Sequence, residues 1–218
     1  MEYTMNFDRL APHYDWLEAV TAGARLQRAR TQWLEALAGC RNILSVGEGH
    51  GRFAAACTRR FPGAQLTCVE RSRGMLTQAQ IKIDSGSFKI DWVLADVLSW
   101  QALRKYDAVV TCFFLDCFPA DVLPRVIAKL ANCATDDAIW LVTDFAIPSQ
   151  GLARQRAHFV HWLMYRFFRV AVGLPANRLV VPDELLAAEG FHVEARHDAE
   201  WGLLRSDLWR RNPAKTAR

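Results

Sequence analysis

A glycine-rich loop follows the first run of residues that is typical of a β-strand. The run Asn42–Val46 leads directly into Gly47–Gly51, and a stretch of helical periodicity begins at Arg52. Glycines permit a tight turn and let a ligand touch the backbone, while the N-terminus of the next helix offers free N–H groups to an anion. The loop therefore predicts a cofactor-binding turn, although similar loops also occur in proteins without a cofactor.

The spacing of the glycines separates the classes of ligand that such loops bind. Gly47, Gly49 and Gly51 form a G-x-G-x-G pattern, whereas a dinucleotide fingerprint would place its third glycine where this chain has Arg52. No Gly-Lys-Ser/Thr follows, so the loop is not a Walker A loop. The spacing disfavours NAD and FAD as ligands.

Two acidic residues follow the next two predicted strands. Glu70 ends the second strand, where a carboxylate can accept hydrogen bonds from both hydroxyls of a ribose. Asp96 follows the third strand and can accept from an adenine amino group, with Val97 against the ring. Each has an ordinary alternative, a solvated Glu at a strand end and a helix-capping Asp. Together with the glycine loop, they predict a nucleoside site.

Short apolar runs alternate with helical stretches along the chain. The predicted strands are 42–46, 65–69, 88–94, 106–113 and 138–144, and the helices between them are 52–60, 74–82 and about 120–133. Strands separated by helices of this length indicate right-handed βαβ units in a parallel α/β sheet. Ligands of such sheets bind at the carboxyl ends of the strands.

Two regions interrupt this alternation. The first forty residues are predicted to form two helices, and an aromatic-rich helix over 157–173 is inserted after the fifth strand. A short helix over 183–189 and a hairpin over 191–205 follow. We expect one domain over 1–218, with an N-terminal helical cap over 1–40 and the inserted helix within 150–180.

In combination, these features resemble a known family. The segments Ile43–Phe53, Val69–Ser72 and Ala95–Val97 resemble the ordered motifs of class I S-adenosylmethionine (SAM)-dependent methyltransferases. The opening Phe7–Asp15 looks like the N-terminal segment of the small-molecule branch, which includes quinone C-methyltransferases. The resemblance covers roughly residues 5–145. It implies a Rossmann-like, doubly wound, seven-stranded sheet, mostly parallel with an antiparallel C-terminal strand, and N-terminal and inserted cap helices.

The resemblance also implies roles for individual residues. The glycines would line the methionyl end of SAM, Glu70 would hold the ribose, and Asp96 with Val97 would hold the adenine. Tyr14 would close over the methyl donor. The residues expected to bind SAM are Tyr14, Gly47, Glu48, Gly49, Gly51, Glu70, Arg71, Asp96, Val97 and Thr111.

One residue departs from the family pattern. The family usually has an acidic residue two positions before the first glycine, where it helps to hold the amino group of the donor; this chain has Ser45. Either Glu48 within the loop or the backbone carbonyls of Thr111 and Cys112 would have to replace it.

The loop after the fourth strand is expected to face the methyl acceptor. Its phenylalanines suggest an apolar or aromatic small molecule, and it lacks the Asn/Asp-Pro-Pro-Tyr motif of many amino methyltransferases that act on nucleic acids. The candidate bases are Asp116, His158, His161 and His13. Asp116 suits a helix cap equally well, and the two histidines of the inserted helix, which share a predicted face with Trp162 and Tyr165, also suit plain packing.

The inserted helix is expected to roof the acceptor site. Its arginines beside aromatic side chains would also suit a membrane surface, but packing on its own domain or on a second subunit is the favoured interpretation. The net charge of +4 is too small to indicate nucleic-acid binding.

The bulk composition is that of an ordinary globular protein. Half of the residues are apolar (51%), and the six cysteines are scattered without a C-x-x-C pair, which favours free thiols over disulfides or zinc. The start of the chain has neither a cationic region nor an apolar run typical of a secretory leader. We expect a cytoplasmic protein without a metal.

The sequence thus predicts a SAM-dependent methyltransferase that acts on a small, apolar or aromatic acceptor. The alternative is a catalytically silent SAM-binding partner or regulatory protein of the same fold, which Ser45 would favour. Neither the acceptor nor the oligomeric state can be predicted.

Overall fold

The computed structural model describes Asp8 and residues 23–83 and 88–212. Its strands are β1 (Asn42–Val46), β2 (Gln65–Glu70), β3 (Ile90–Leu94), β4 (Tyr106–Cys112), β5 (Ala134–Phe145), β6 (Phe191–Ala199) and β7 (Leu204–Arg211). Its helices are α1 (Gly23–Thr31), α2 (Arg52–Arg60), α3 (Arg73–Lys82), α4 (Leu123–Cys133), α5 (Gly151–Val172) and α6 (Asp183–Ala188).

The seven strands form one mixed sheet in the order β3-β2-β1-β4-β5-β7-β6. β1 pairs in parallel with β2 and with β4, and β7 is antiparallel to both of its neighbours. The strand order reverses direction between β1 and β4, which is where a doubly wound sheet opens a crevice at its carboxyl edge. The predicted fold class, including the antiparallel C-terminal strand, is confirmed.

Apolar side chains cover both faces of the sheet. On one face α4 packs Leu123, Ile127 and Leu130 against Trp140 of β5. On the other, α2 packs Phe53 and Cys57 against β1 and β2 together with Leu37. Strands buried on both sides read as continuous apolar runs, which is why the central strands were predictable from the sequence.

Several element bounds differ from the sequence predictions. β5 begins at Ala134 rather than 138, and its pairing with β4 shifts register between Tyr106 and Ala108. α5 begins at Gly151, whereas the sequence predicted a start at 157. The prediction missed the first two turns because they are exposed and carry no apolar periodicity. The final hairpin extends to Arg211, beyond the predicted 205.

Part of the predicted N-terminal cap lies outside the described residues. These include the first of its two helices, and the candidate site residues Tyr14 and His13. The second predicted helix is confirmed as α1, which is followed by a short 3-10 helix over Leu34–Leu37. Among the described residues, no helix is both long and apolar enough to cross a membrane.

Candidate functional site

The glycine loop connects β1 to α2 through three residues of left-handed backbone conformation. Gly47, Gly49 and Gly51 have φ angles of 68°, 61° and 85°. A Cβ atom at Gly47 would lie 2.2 Å from the ring of Phe114, and one at Gly51 would lie 2.9 Å from the Cα of Ala79. Only glycine satisfies both the conformation and these close approaches. The loop is therefore shaped by the packing around it.

Glu70 ties the end of β2 to this loop. Its Oε2 accepts a hydrogen bond from the Gly49 N–H at 2.9 Å, and its Oε1 accepts from the Ser72 N–H at 2.7 Å. Burial raises the pKa of the carboxyl group, while hydrogen bonds from these two N–H groups and from the Arg71 N–H lower it. A carboxylate has about four acceptor positions, so after these three bonds one remains for a ligand hydroxyl.

Asp96 and Arg71 face each other at the ends of β3 and β2. The Arg71 guanidinium lies 3.4 Å from Asp96 Oδ2, and Asp96 Oδ1 accepts from the Leu98 N–H at 2.9 Å. Asp96 thus also caps the turn that follows β3, as its alternative interpretation expected. The next residue, Val97, is buried.

Glu48 places a carboxylate directly beside Ser45. The Ser45 hydroxyl donates to Glu48 Oε2 at 2.5 Å, and the Ala54 N–H of α2 donates to Glu48 Oε1 at 2.8 Å. Burial raises the pKa of Glu48 to about 7. A carboxylate from within the loop therefore lies beside position 45, where the family usually has its acidic residue.

These groups line one open cavity of about 1040 Å³ at the carboxyl edge of the sheet. Of the predicted site residues, its lining includes Gly47, Glu48, Gly49, Glu70, Arg71, Asp96 and Val97. No atom lies within 4 Å of the position that a Cβ of Gly49 would occupy, so a ligand can approach the backbone there. Three carboxylates of the described residues line this cavity beside apolar side chains, a combination that suits a small ligand with hydroxyl and amino groups.

Comparison with known proteins agrees with this geometry. Residues 43–137, which contain the glycine loop, Glu70 and Asp96, match the family model described as a methyltransferase domain. These residues are thus similar to a methyltransferase domain, in agreement with the class I fold of the sheet. Magnesium protoporphyrin IX methyltransferase of Synechocystis PCC 6803, solved with bound SAH, shares the fold with a TM-score of 0.67, at 19% identity over 94% of each chain.

Two curated methyltransferases are similar in sequence. Trans-aconitate 2-methyltransferase of Streptomyces avermitilis is 30% identical over 124 residues, which are 55% of this chain and 46% of the relative. The ubiquinone/menaquinone biosynthesis C-methyltransferase of Syntrophotalea carbinolica is 28% identical over 151 residues, 67% of this chain and 62% of the relative. The chain thus spans less than two thirds of the length of either relative.

The far wall of the methyltransferase cavity contains residues that the sequence did not single out. Phe113 lies in the cavity wall with a φ of 54°, a strained conformation for a non-glycine residue, and Arg30 of α1 stacks over its ring at 4.9 Å. Arg30 is buried and also lines the cavity. A cation on a helix twelve residues before β1 has no sequence signal that links it to the site.

Thr111 does not contribute its side chain to this cavity. It is fully buried, and its hydroxyl accepts a hydrogen bond from the Trp140 indole at 3.0 Å. Cys112 and Phe113, the next two residues, line the cavity instead. Thr111, which was expected to contribute its backbone carbonyl, is not among the residues that line the cavity.

Asp116 belongs to a buried pair of carboxyl groups. Its side chain lies beside that of Asp144, close enough for the two to share a proton, and burial raises the pKa of both, that of Asp116 to about 6. Asp144 Oδ1 accepts from the Phe114 N–H at 3.1 Å. The pair lines a second cavity of about 470 Å³ below the segment 179–183. Asp116 thus adjoins the donor cavity, whose wall includes Cys117, without lining it.

The two histidines of α5, three residues apart, differ in burial. His161 is buried with Tyr165 and stacks edge-on to Phe145, with ring centroids 5.9 Å apart, whereas His158 and Trp162 are exposed. Of the four residues predicted to share a face, two are therefore buried and two are exposed. Neither ring nitrogen of His161 has a hydrogen-bond partner in the described part of the chain, and burial lowers its pKa to about 4.

Proposed function

We propose that this chain transfers a methyl group from SAM to a small acceptor that is apolar or aromatic where it enters the site. The observation that carries the proposal is the single cavity in which the ends of β1, β2 and β3 each present the group that a nucleoside donor needs. Bound SAM would supply a methyl group on a sulfonium centre; a nucleophile of the acceptor would attack the methyl carbon in line, and the sulfur would leave as neutral SAH. The protein then has to align the two reactants and exclude water.

On the donor side, each residue of the cavity wall has a distinct task. The free backbone at Gly49 accommodates the methionyl end, and Glu48 accepts hydrogen bonds from the amino group in place of the family's acidic residue. Glu70 accepts from a ribose hydroxyl, and Asp96 accepts from the adenine amino group. The buried side chain of Val97 packs on the ring. Tyr14, outside the described residues, is proposed to close over the donor.

On the acceptor side, phenylalanines form an apolar wall that continues to α5. Phe113 stacks on Phe145 with ring centroids 5.3 Å apart, and Phe145 stacks on His161. An imidazole without a partner can accept a hydrogen bond from a hydroxyl or amine of the molecule that is methylated. The low pKa of His161 keeps the imidazole neutral near pH 7. We propose His161 as the positioning residue on this side. Asp116, beside Asp144, is the proposed proton acceptor, whereas the exposed His158 has no role in the reaction.

Calorimetry with SAM, SAH and NADH tests the donor site. We expect SAM and SAH to bind and NADH not to bind. Glu70→Gln is expected to weaken SAM binding by roughly 10- to 100-fold, because a hydrogen bond to a charged group contributes about 1.5–3 kcal/mol. Glu184→Gln, the same change at an exposed position of α6, is the matched control and should leave the affinity unchanged.

Transfer itself is tested by incubating the protein with methyl-labelled SAM and a metabolite extract. Label in a small organic product, absent with Glu70→Gln, supports the methyltransferase. A chain that binds SAM but labels nothing across extracts would instead be the catalytically silent partner. Binding of NADH in place of SAM would overturn the donor assignment.

A further inference from the structure

The outer face of α5 is a row of large apolar side chains that nothing in the described structure covers. Only one side of this 22-residue helix packs on the protein, through Ala157, His161, Tyr165 and Val172. The residues of the outer face are Leu152, Phe159, Trp162, Leu163, Phe167 and Val170, with exposures from 43% for Phe167 to 86% for Val170. The sequence favoured packing of this helix on its own domain or on a second subunit. Packing on its own domain explains the buried side of the helix and leaves the outer face without a contact among the residues that the structure describes.

Arginines alternate with these apolar side chains. Arg154, Arg156, Arg166 and Arg169 are all exposed, and residues 151–172 contain no Asp or Glu. Arg166 and Arg169 also line an open groove together with Trp162, Val170 and Asn177. The groove combines two guanidinium groups and a side-chain amide with an apolar floor, a set of groups that suits a phosphate attached to an apolar tail.

A second element extends the same surface. Trp201, between β6 and β7, is 77% exposed, and Arg156 lies 5.7 Å from the centre of its ring. Both Glu200 and Trp201 have positive φ angles, 53° and 63°, which non-glycine residues adopt at an energetic cost. A strained turn that holds a tryptophan out in water points to a contact that the isolated chain does not make.

We propose that the outer face of α5, with Trp201, docks on the surface of a membrane that contains anionic phospholipids. A helix with a basic and aromatic exposed face lies in the interface plane, where apolar side chains enter the acyl boundary and arginines meet lipid phosphates. The net positive charge of the face complements such a surface. The contact would also bring the proposed acceptor side of the molecule, next to α5, close to lipophilic compounds that are dissolved in the bilayer.

The charge of this face argues against the two other occupants. A two-fold contact between copies of the chain would set the same arginine-bearing patch against itself, and like charges that face each other are repelled. Nucleic acid would pair with the arginines but would leave Leu152, Leu163 and Val170 without an apolar partner. A bilayer surface satisfies both halves of the pattern.

Vesicle co-sedimentation of the full chain tests the proposal. We expect binding to vesicles of equal parts phosphatidylglycerol and phosphatidylcholine in about 0.1 M salt, little binding to phosphatidylcholine alone, and weakening in about 0.5 M salt. Arg166→Gln with Arg169→Gln should weaken binding roughly 25-fold, about fivefold for each charge. Phe159→Ser with Leu163→Ser should abolish it. All four positions are exposed, so these variants should fold, which circular dichroism checks.

The matched control is Arg59→Gln with Arg125→Gln, which removes the same charge from exposed positions of α2 and α4. It should retain binding within about twofold. Equal losses in both arginine pairs would mean that diffuse charge, not this face, holds the vesicles, and would overturn the proposal. So would failure of the unaltered chain to sediment. A concentration-dependent dimer that the Phe159/Leu163 variant abolishes, without vesicle binding, would assign the face to a second copy instead.

Discussion

At the scale of single residues, Glu48 is where this domain differs from the pattern of the family it resembles. Ser45 occupies the usual acidic position, and Glu48 reaches back to it from within the glycine loop. An acidic group so enclosed by protein is harder to ionise, and burial raises its pKa to about 7. The strength with which Glu48 binds the amino group of the donor should then depend on pH near neutrality.

The resulting prediction is that SAM affinity rises between pH 6 and pH 8. Only the ionised Glu48 attracts an ammonium group, and its ionised fraction increases roughly tenfold over this range for a pKa of about 7. Glu48→Gln should bind SAM more weakly at pH 8 and should lose the pH dependence. Calorimetry at several pH values measures both. Equal slopes for the two proteins would rule out Glu48 as the group that holds the donor.

The residues that sequence reasoning found and missed differ in how they reach the cavity. Glu70 and Asp96 follow strands directly, so their positions at the carboxyl edge follow from the topology alone. Arg30 arrives on α1 and meets Phe113 only in the folded molecule. Asp144 was predicted simply as the end of a strand, and only the structure shows it beside Asp116. Contacts between distant segments have no local pattern.

At the scale of elements, α5 illustrates what periodicity can and cannot predict. The sequence identified an aromatic-rich helix after the fifth strand, and the structure contains it. Because apolar side chains lie all around the helix, the pattern did not reveal which side packs inward, or that His161 is buried while His158 is exposed. The packed side is the one that carries His161, Tyr165 and Val172.

The orientation of α5 yields a paired prediction. His161→Ala should lower the rate of methyl transfer by at least about tenfold with SAM affinity unchanged, because it removes the group that positions the acceptor and leaves the donor cavity intact. His158→Ala, three residues away on the exposed face, is the control and should leave the rate unchanged. Single-turnover transfer of labelled methyl measures both variants. Equal rates for the two variants would exclude His161 from the reaction.

At the scale of the whole molecule, the site is built at a cost to folding. Asp116 and Asp144 are forced together in the protein interior, and burial raises the pKa of Asp116 to about 6, against about 4 for an exposed aspartate. The folded state therefore holds a proton more tightly than the unfolded chain does. The stability that this proton contributes is present at low pH and is lost as the pH rises through about 6.

It follows that Asp144→Asn should stabilise the protein most at pH 8 and about half as much at pH 5, which lies between the two pKa values. The amide oxygen can still accept from the Phe114 N–H, and its N–H group can donate to Asp116, which removes the repulsion between two carboxylates. A pKa difference of about two units corresponds to about 1–3 kcal/mol in the free energy of unfolding at pH 8. Urea denaturation at the two pH values measures this, with the exposed Asp121→Asn as control.

His161 does not disturb this comparison. Its lowered pKa reduces the stability of the protein below about pH 6.5, but the histidine is present in all of these proteins, so its effect cancels in the difference between them. A variant less stable than the original at pH 8 would mean that the pair stabilises the fold, and would contradict the cost to folding that the raised pKa implies.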